Sequence, residues 1–389
     1  MRGWPPRQAR RKGARFDKLS VTGAVAVLAF VFGASLTSSA RDNPIAFLAT
    51  IPITGVHAGG KFSFDIGYVD VATNRYLVTD RTNASVDVID ITTNTLIRQV
   101  KGGFTGARKS ADASGPNGVV GIPGTTLAYV GDVGSVKLID FHKGVVTKTI
   151  PIAHAKLRTD EGCYDPDDGL VMFSNPEDSP AFASWISAKT QGVVASLRFV
   201  GAEGLEQCLY HERSKSFLVN NGGTQANPLG EVDVIPAASV RSGKPMIAAR
   251  FPAPGCPVTG MALGPNDELL IGCGAKKNLA LRTLILNASS GAVLATITQV
   301  GGEDEVAYDS VKHRFYTASR DMTSTGVAEQ GRPTPVLGVI DAVTMKWIEN
   351  VPTGTNAHSV AADWKTNHVF VPIPPTMSTS GGVNVYRYR

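Results

Sequence analysis

Apolar and polar residues alternate along this chain in short runs, and the runs return in the same order seven times. Seven sixteen-residue windows superpose without a gap. They are DIGYVDVATNRYLVTD (65–80), NGVVGIPGTTLAYVGD (117–132), EGCYDPDDGLVMFSNP (161–176), EQCLYHERSKSFLVNN (206–221), TGMALGPNDELLIGCG (259–274), DEVAYDSVKHRFYTAS (304–319) and HSVAADWKTNHVFVPI (358–373). Each reads as a short strand, a turn rich in Asp, Asn, Gly or Pro, and a second apolar strand, the pattern of a tight β-hairpin. Window starts lie 44 to 54 residues apart, close to the period expected of propeller blades.

Further strands follow the hairpins. SVDVIDI (85–91) and TLIRQV (95–100) follow the first, SVKLIDF (135–141) and VVTKTIPI (145–152) the second. GVVASLRF (192–199), EVDVIPA (231–237) with MIAARFP (246–252), LRTLILN (281–287) with AVLATITQV (292–300), and VLGVIDA (336–342) with WIENVPT (347–353) continue the series. Four antiparallel strands per repeat predict an all-β, seven-bladed β-propeller. The seventh repeat ends at VNVYRYR (383–389) without a fourth strand, while AFLATIPIT (46–54) resembles TKTIPIA (147–153) and WIENVPTG (347–354). The N-terminal strand is therefore expected to close the last blade, leaving no open edge between the first and last blades.

Residues 1–40 read as a signal peptide. Arg2, Arg7, Arg10, Arg11, Lys12, Arg15 and Lys18 precede the apolar run Val21–Leu36, and Ser38-Ser39-Ala40 offers a cleavage site. At 16 residues the run is shorter than a bilayer span. Cleavage near Ala40, export to the periplasm or medium, contact with the membrane only during export, and one propeller domain over 41–389 are expected. The leader also carries the basic surplus. The formal charge is +5 overall, and removing the leader leaves 31 basic against 32 acidic residues. No nucleic-acid partner is expected. The four cysteines are expected to pair in an exported chain. Cys256 and Cys273 flank the fifth hairpin, and Cys163 and Cys208 occupy the same position in adjacent windows, but three connectivities remain open.

YLVTDRTNASVDVIDITTNTLI (76–97) resembles the YVTN-type β-propeller repeat, with its Tyr-Val-Thr-Asn strand, Gly-rich turn and Val-Ile-Asp strand. The resemblance spans Ala46–Arg389 and is clearest in the first repeat. It implies a seven-bladed fold and an exported or cell-surface location, and it implies little about activity, because propellers host unrelated functions.

In a blade the first strand lines the central channel, so the first residue of each window is one structural position repeated. Those residues are Asp65, Asn117, Glu161, Glu206, Thr259, Asp304 and His358, and Glu305 adds to the charge beside Asp304. Carboxylates brought together must protonate, bind a cation or stay solvated. The set is read as a ligand-binding ring. Asp65, Asn117, Glu161, Glu206 and Asp304 are candidate ligands for Ca²⁺ or another divalent cation. His358, flanked round the ring by Asp304 and Asp65, is the candidate acid–base residue. The plainer reading is a polar, water-filled channel.

The loops 177–184, 222–230, 320–335 and 374–382 should wall this mouth. His57 and His154 fall on the same face, and His211, His313 and His368 are read as surface residues at the opposite one. Asp90, Asp140 and Asp341 look like turn caps. No Gly-x-Ser-x-Gly, Walker, Rossmann or His-Glu-x-x-His motif occurs, so no nucleotide cofactor is expected. Two classes of function stand: a monomeric exported propeller binding a small molecule or a protein on its loop-rich face, and an enzyme. The enzyme would be a metal-dependent lactonase- or esterase-like hydrolase with His358 as base, similar in residue class to gluconolactonase-like propellers, or a propeller lyase.

Overall fold

The computed structural model describes residues 45–388. The expected signal peptide and cleavage site lie outside the described residues. The chain forms seven four-stranded antiparallel sheets, six with their strands in chain order and the seventh taking its outermost strand from the N-terminal end of the described residues. The first blade comprises Phe64–Asp70, Arg75–Asp80, Ser85–Asp90 and Thr95–Lys101. The innermost strands touch one another in sequence round a ring, and the ring closes where Phe64–Asp70 meets Ala361–Asp363. The last blade is completed by Ile45–Ile51, which pairs antiparallel with Gly382–Tyr388. That pairing is the expected closure of the ring by the N-terminal strand.

The burial pattern explains why the middle strands are rich in apolar residues while the outer ones are mixed. Both faces of a blade pack on neighbours, so Arg75–Asp80 and Ser85–Asp90 are almost wholly buried, whereas Thr95–Lys101 is largely exposed. Seven hydrophobic clusters result, one for each blade-to-blade interface. At the closing interface Tyr76 stacks on Phe370 with ring centroids 4.8 Å apart. Two disulfides add to this packing. Cys163–Cys208 joins the inner strands of blades three and four, and Cys256–Cys273 fixes the entry of blade five to its second strand.

The hairpin turns away from the channel mouth share one device. Asp70 accepts from the backbone N–H of Ala72 and Thr73, Asp165 from Asp167 and Asp168, and Asp309 from Val311 and Lys312. Asp90, Asp140 and Asp341 do the same in the turns leading to the outer strands. An aspartate mimics a backbone turn in this way, and the repeated Asp of the sequence is structural.

Three expectations change. The blade-three loop ends sooner than 184, because Phe182 and Ala183 are buried and already pair with Asn175 and Ser174. A short helix, Ala237–Arg241, follows the third strand of blade four, and the fourth strand shrinks to Ala249–Pro252. His211 and His368 are buried, not surface residues. His211 lies between Ser214 and Asp267 and ties blade four to blade five.

Candidate functional site

The inner strands lose their regular pairing as they approach the channel mouth. In three blades a bulge intervenes, between Phe64 and Gly67, between Leu205 and Cys208, and between Val258 and Met261. Asp65, Glu206 and Thr259 sit inside these bulges. Asn117, Glu161, Asp304 and His358 precede the first ladder residue of their blades. Bulges re-aim side chains beside functional sites. Here Asp65, Glu161, Glu206, Thr259, Asp304, Glu305 and His358 all border one cavity of about 450 Å³.

Asn117 stands apart from them. It is fully buried between blades, accepting from Arg81 Nε (3.0 Å) and Nη2 (2.7 Å) and donating to the Thr159 carbonyl (3.0 Å). It clamps Arg81 in place and does not line the cavity.

Three arginines and one aspartate complete the site, and sequence reasoning missed all four. Arg81 donates to Asp65, Arg320 meets Asp304 at 2.8 Å, and Arg158 bridges Asp160 (3.1 Å) and Glu177 (3.2 Å). Arg81 and Arg320 follow directly on the first and sixth windows, so they are one structural position in two blades, each paired with the window's own first residue. That equivalence was visible in the alignment of repeats. Arg158 comes from a connection between blades and had no such signal. Asp160 precedes Glu161 as Asp304 precedes Glu305, an acidic doublet recognisable in retrospect. Gly118 accommodates it: a side chain there would collide with the Asp160 carbonyl, which accepts the Gly118 N–H at 3.1 Å.

The arginines pair three carboxylates and leave three others. Glu161, Glu206 and Glu305 make no ion pair among the described residues. Burial raises the Glu161 carboxyl well above the usual range, and Glu305 and Glu206 add to the effect. Burial and then Asp304 do the same to Glu305. Glu206 is recessed but touched by solvent. Burial first, then Asp304 and Asp160, push it up to about 8, against a partial pull from Arg158. Burial lifts Asp160 to about 7 even though Arg158 draws it down. The cavity thus holds protons near neutral pH. Two of its oxygens, Glu161 Oε2 and Asp160 Oδ1, are buried without a hydrogen-bond partner.

His358 packs flat on Phe64, with centroids 4.4 Å apart and planes 8° from parallel. Its Nδ1 is 2.9 Å from the Asn356 carbonyl, which only accepts, so Nδ1 carries the hydrogen. Nε2 is left facing Asp65 Oδ1 at 3.8 Å.

The five residues considered as ligands of a divalent cation are not brought together as one metal-holding group. Arg81 occupies Asp65 and Asn117, Arg320 occupies Asp304, and no group of three His, Cys, Asp or Glu among the described residues is placed to hold a metal. The cavity walls also differ from the expectation. Ser63, Ala111, Arg158 and Asn356 come from connections between blades, and of the long loops between second and third strands only 320–335 contributes, through Arg320. The stretches 177–180 and 373–376 border separate grooves.

No family model matches the chain, and no curated protein matches it, so membership of the YVTN-type family is not established. Solved structures do match. The chain is similar to Kuenenia stuttgartiensis Hydrazine Synthase at TM-score 0.63 and 14% identity, over 85% of this chain and 98% of that one. It is similar to a chain of the Crystal Structure of Mitotic Checkpoint Complex at TM-score 0.62 and 11% identity, over 98% and 99%. At such identities the likeness is one of fold. It supports the β-propeller architecture, a common scaffold for binding ligands or proteins, and goes no further.

Proposed function

We propose that this chain is an exported propeller that binds a small polar ligand in the central cavity at its loop-bearing face. The observation that carries the reading is that Glu161 and Asp160, two residues lining a recess of about 450 Å³, each keep a buried oxygen, Oε2 and Oδ1, without a hydrogen-bond partner. Buried polar atoms are nearly always hydrogen-bonded, and the size lies within the range of small-molecule sites. A ligand donor, replacing water, supplies the missing partner. A protein partner would have to reach the same groups by inserting a side chain. Export is supported by the leader-like residues 1–40 and by two disulfides, which persist in oxidising compartments. No helix among the described residues is long and apolar enough to cross a membrane.

Thermal-shift screening of small polar compounds tests the reading, with Ala111→Trp as control. Ala111 is exposed at the cavity rim, so the larger ring obstructs entry without disturbing a core. Compounds that stabilise the parent protein and not Ala111→Trp support a cavity site. Stabilisers that act equally on both would place binding elsewhere.

A second reading makes the same cavity catalytic. His358 favours it, since the Asn356 carbonyl holds a hydrogen on Nδ1 and turns Nε2 toward Asp65, so that in the neutral ring Nε2 is the atom that accepts a proton. Hydrolysis of a lactone or ester panel that disappears in His358→Ala would support this reading, and equal turnover in both proteins would remove it. No step through a metal is derived, because no three His, Cys, Asp or Glu among the described residues are placed to hold an ion together.

A further inference from the structure

The identity of the ligand follows from which carboxyl groups are left over, given that the central cavity is the binding site. Asp65, Asp160 and Asp304 each have a guanidinium partner. Glu161, Glu206 and Glu305, from blades three, four and six, have none among the described residues and face the same space. Glu161 is 6% exposed and Glu305 4%, and Glu161 Oε2 has no hydrogen-bond partner. The three influence one another strongly enough that Glu305 and Glu206 both act on Glu161.

We propose that Glu161, Glu206 and Glu305 form a receptor for a single primary ammonium group, and that the ligand is a small aliphatic amine. A primary ammonium carries three N–H donors and no acceptor, one donor for each glutamate that lacks a cation. A guanidinium is planar and spreads its donors in a fork suited to paired oxygens, and three guanidiniums already border the cavity. A neutral polyol would neutralise nothing and leave the glutamates crowded. The stacked rings of Phe64 and His358, from blades one and seven, offer a less polar part of the wall for the carbon chain.

The charge balance gives the reading a signature. Around the bound ammonium stand Asp65, Asp160 and Asp304 with Arg81, Arg320 and Arg158, then His358, and the three glutamates. The ion pairs cancel among themselves. The glutamates retain protons near neutral pH, as described above, and a cation among them favours their ionised forms. Binding therefore releases protons, and affinity rises with pH through the range in which the glutamates titrate.

The experiment is calorimetry on the purified protein with n-butylamine as probe, at about pH 7.5 in two buffers of different ionisation heat that contain no primary amine. We expect one site, net proton release, and binding of tetramethylammonium weakened about tenfold or more, since that ion has the charge without the donors. Glu161→Gln and Glu305→Gln should each lower n-butylamine affinity about tenfold while leaving the melting temperature equal or higher, which separates lost binding from lost folding. No binding of n-butylamine up to about 10 mM would overturn the proposal, as would unchanged affinity in both variants or equal affinity for tetramethylammonium. If glucose binds in an Ala111→Trp-sensitive manner while n-butylamine does not, the cavity keeps its role as a binding site and only the amine is wrong.

Discussion

The two ends of this propeller both carry carboxylates contributed blade by blade, and they treat them in opposite ways. At the hairpin end Asp90, Asp140 and Asp341 each accept two backbone N–H bonds. Partial burial tends to raise their pKa values, but the N–H donors, together with Arg75 for Asp90, Lys143 for Asp140 and Arg314 for Asp341, more than offset this and hold them below the usual range. At the channel mouth Glu161, Glu206 and Glu305 make no ion pair among the described residues, and burial with neighbouring carboxylates raises them. A carboxylate satisfied by its own turn builds the fold. One held out of water without a partner is a cost to the fold that a ligand can relieve.

The largest effect that would break this contrast is expected at Arg81, which neutralises the mouth on one side. Arg81→Ala strands a buried Asp65 and leaves Asn117 without its donor, and should lower unfolding free energy by about 3–5 kcal/mol in urea titration. A midpoint unchanged from the parent would mean the ion pair contributes nothing.

Next is the pH dependence. Asp160 and Glu206 titrate at about 7 and about 8 in the fold but near 4 when unfolded. The native state thus binds more protons between those limits. Their stabilising contribution is complete below the unfolded values and is lost as pH rises through the folded ones. The ligand-free protein should melt roughly 5 °C lower or more at about pH 8.5 than at about pH 5. Asp90, Asp140 and Asp341 act with the opposite sign, since their lowered pKa values give stability that is lost only as pH falls below the ordinary carboxylate range. A melting temperature that climbs from pH 5 to pH 8.5 would contradict the assignment of protons to the mouth.

A smaller change sharpens the same point. Glu161→Gln removes one charge from the crowded set and should raise stability by about 1–2 kcal/mol at about pH 8, with little effect at about pH 5. Equal effects at both pH values would show that packing, not charge, decides. The smallest effect is expected at the other end. Asp140→Ala removes one turn cap and should lower stability by about 1 kcal/mol while leaving ligand affinity unchanged. Altered affinity in that variant would mean the two ends are coupled.

Much of this was legible in the repeats. The hairpin windows, the Val-x-Val-Ile-Asp strands and the unpaired VNVYRYR segment were enough to expect seven blades and an N-terminal closing strand, because those features are local patterns of polarity and turn chemistry. The placement of the window-start residues at the mouth also followed from the repeat. Asn117 was misread as a cavity group because its window resembles the others, while its neighbour Thr159 and the distant Arg81 decide where its amide goes. His211 was misread in the same way, since only the fold brings Asp267 to it.

The sequence by itself determined the architecture of this protein, since strand period, turn residues and repeat length act over a few residues at a time and each blade states them again. Tertiary structure alone decided the charge state of the mouth. Whether a carboxyl group is ionised depends on how much water reaches it and which cations stand within a few ångströms. Arg158, which meets Asp160 and lowers Glu206, enters from a connection that carries no repeat pattern.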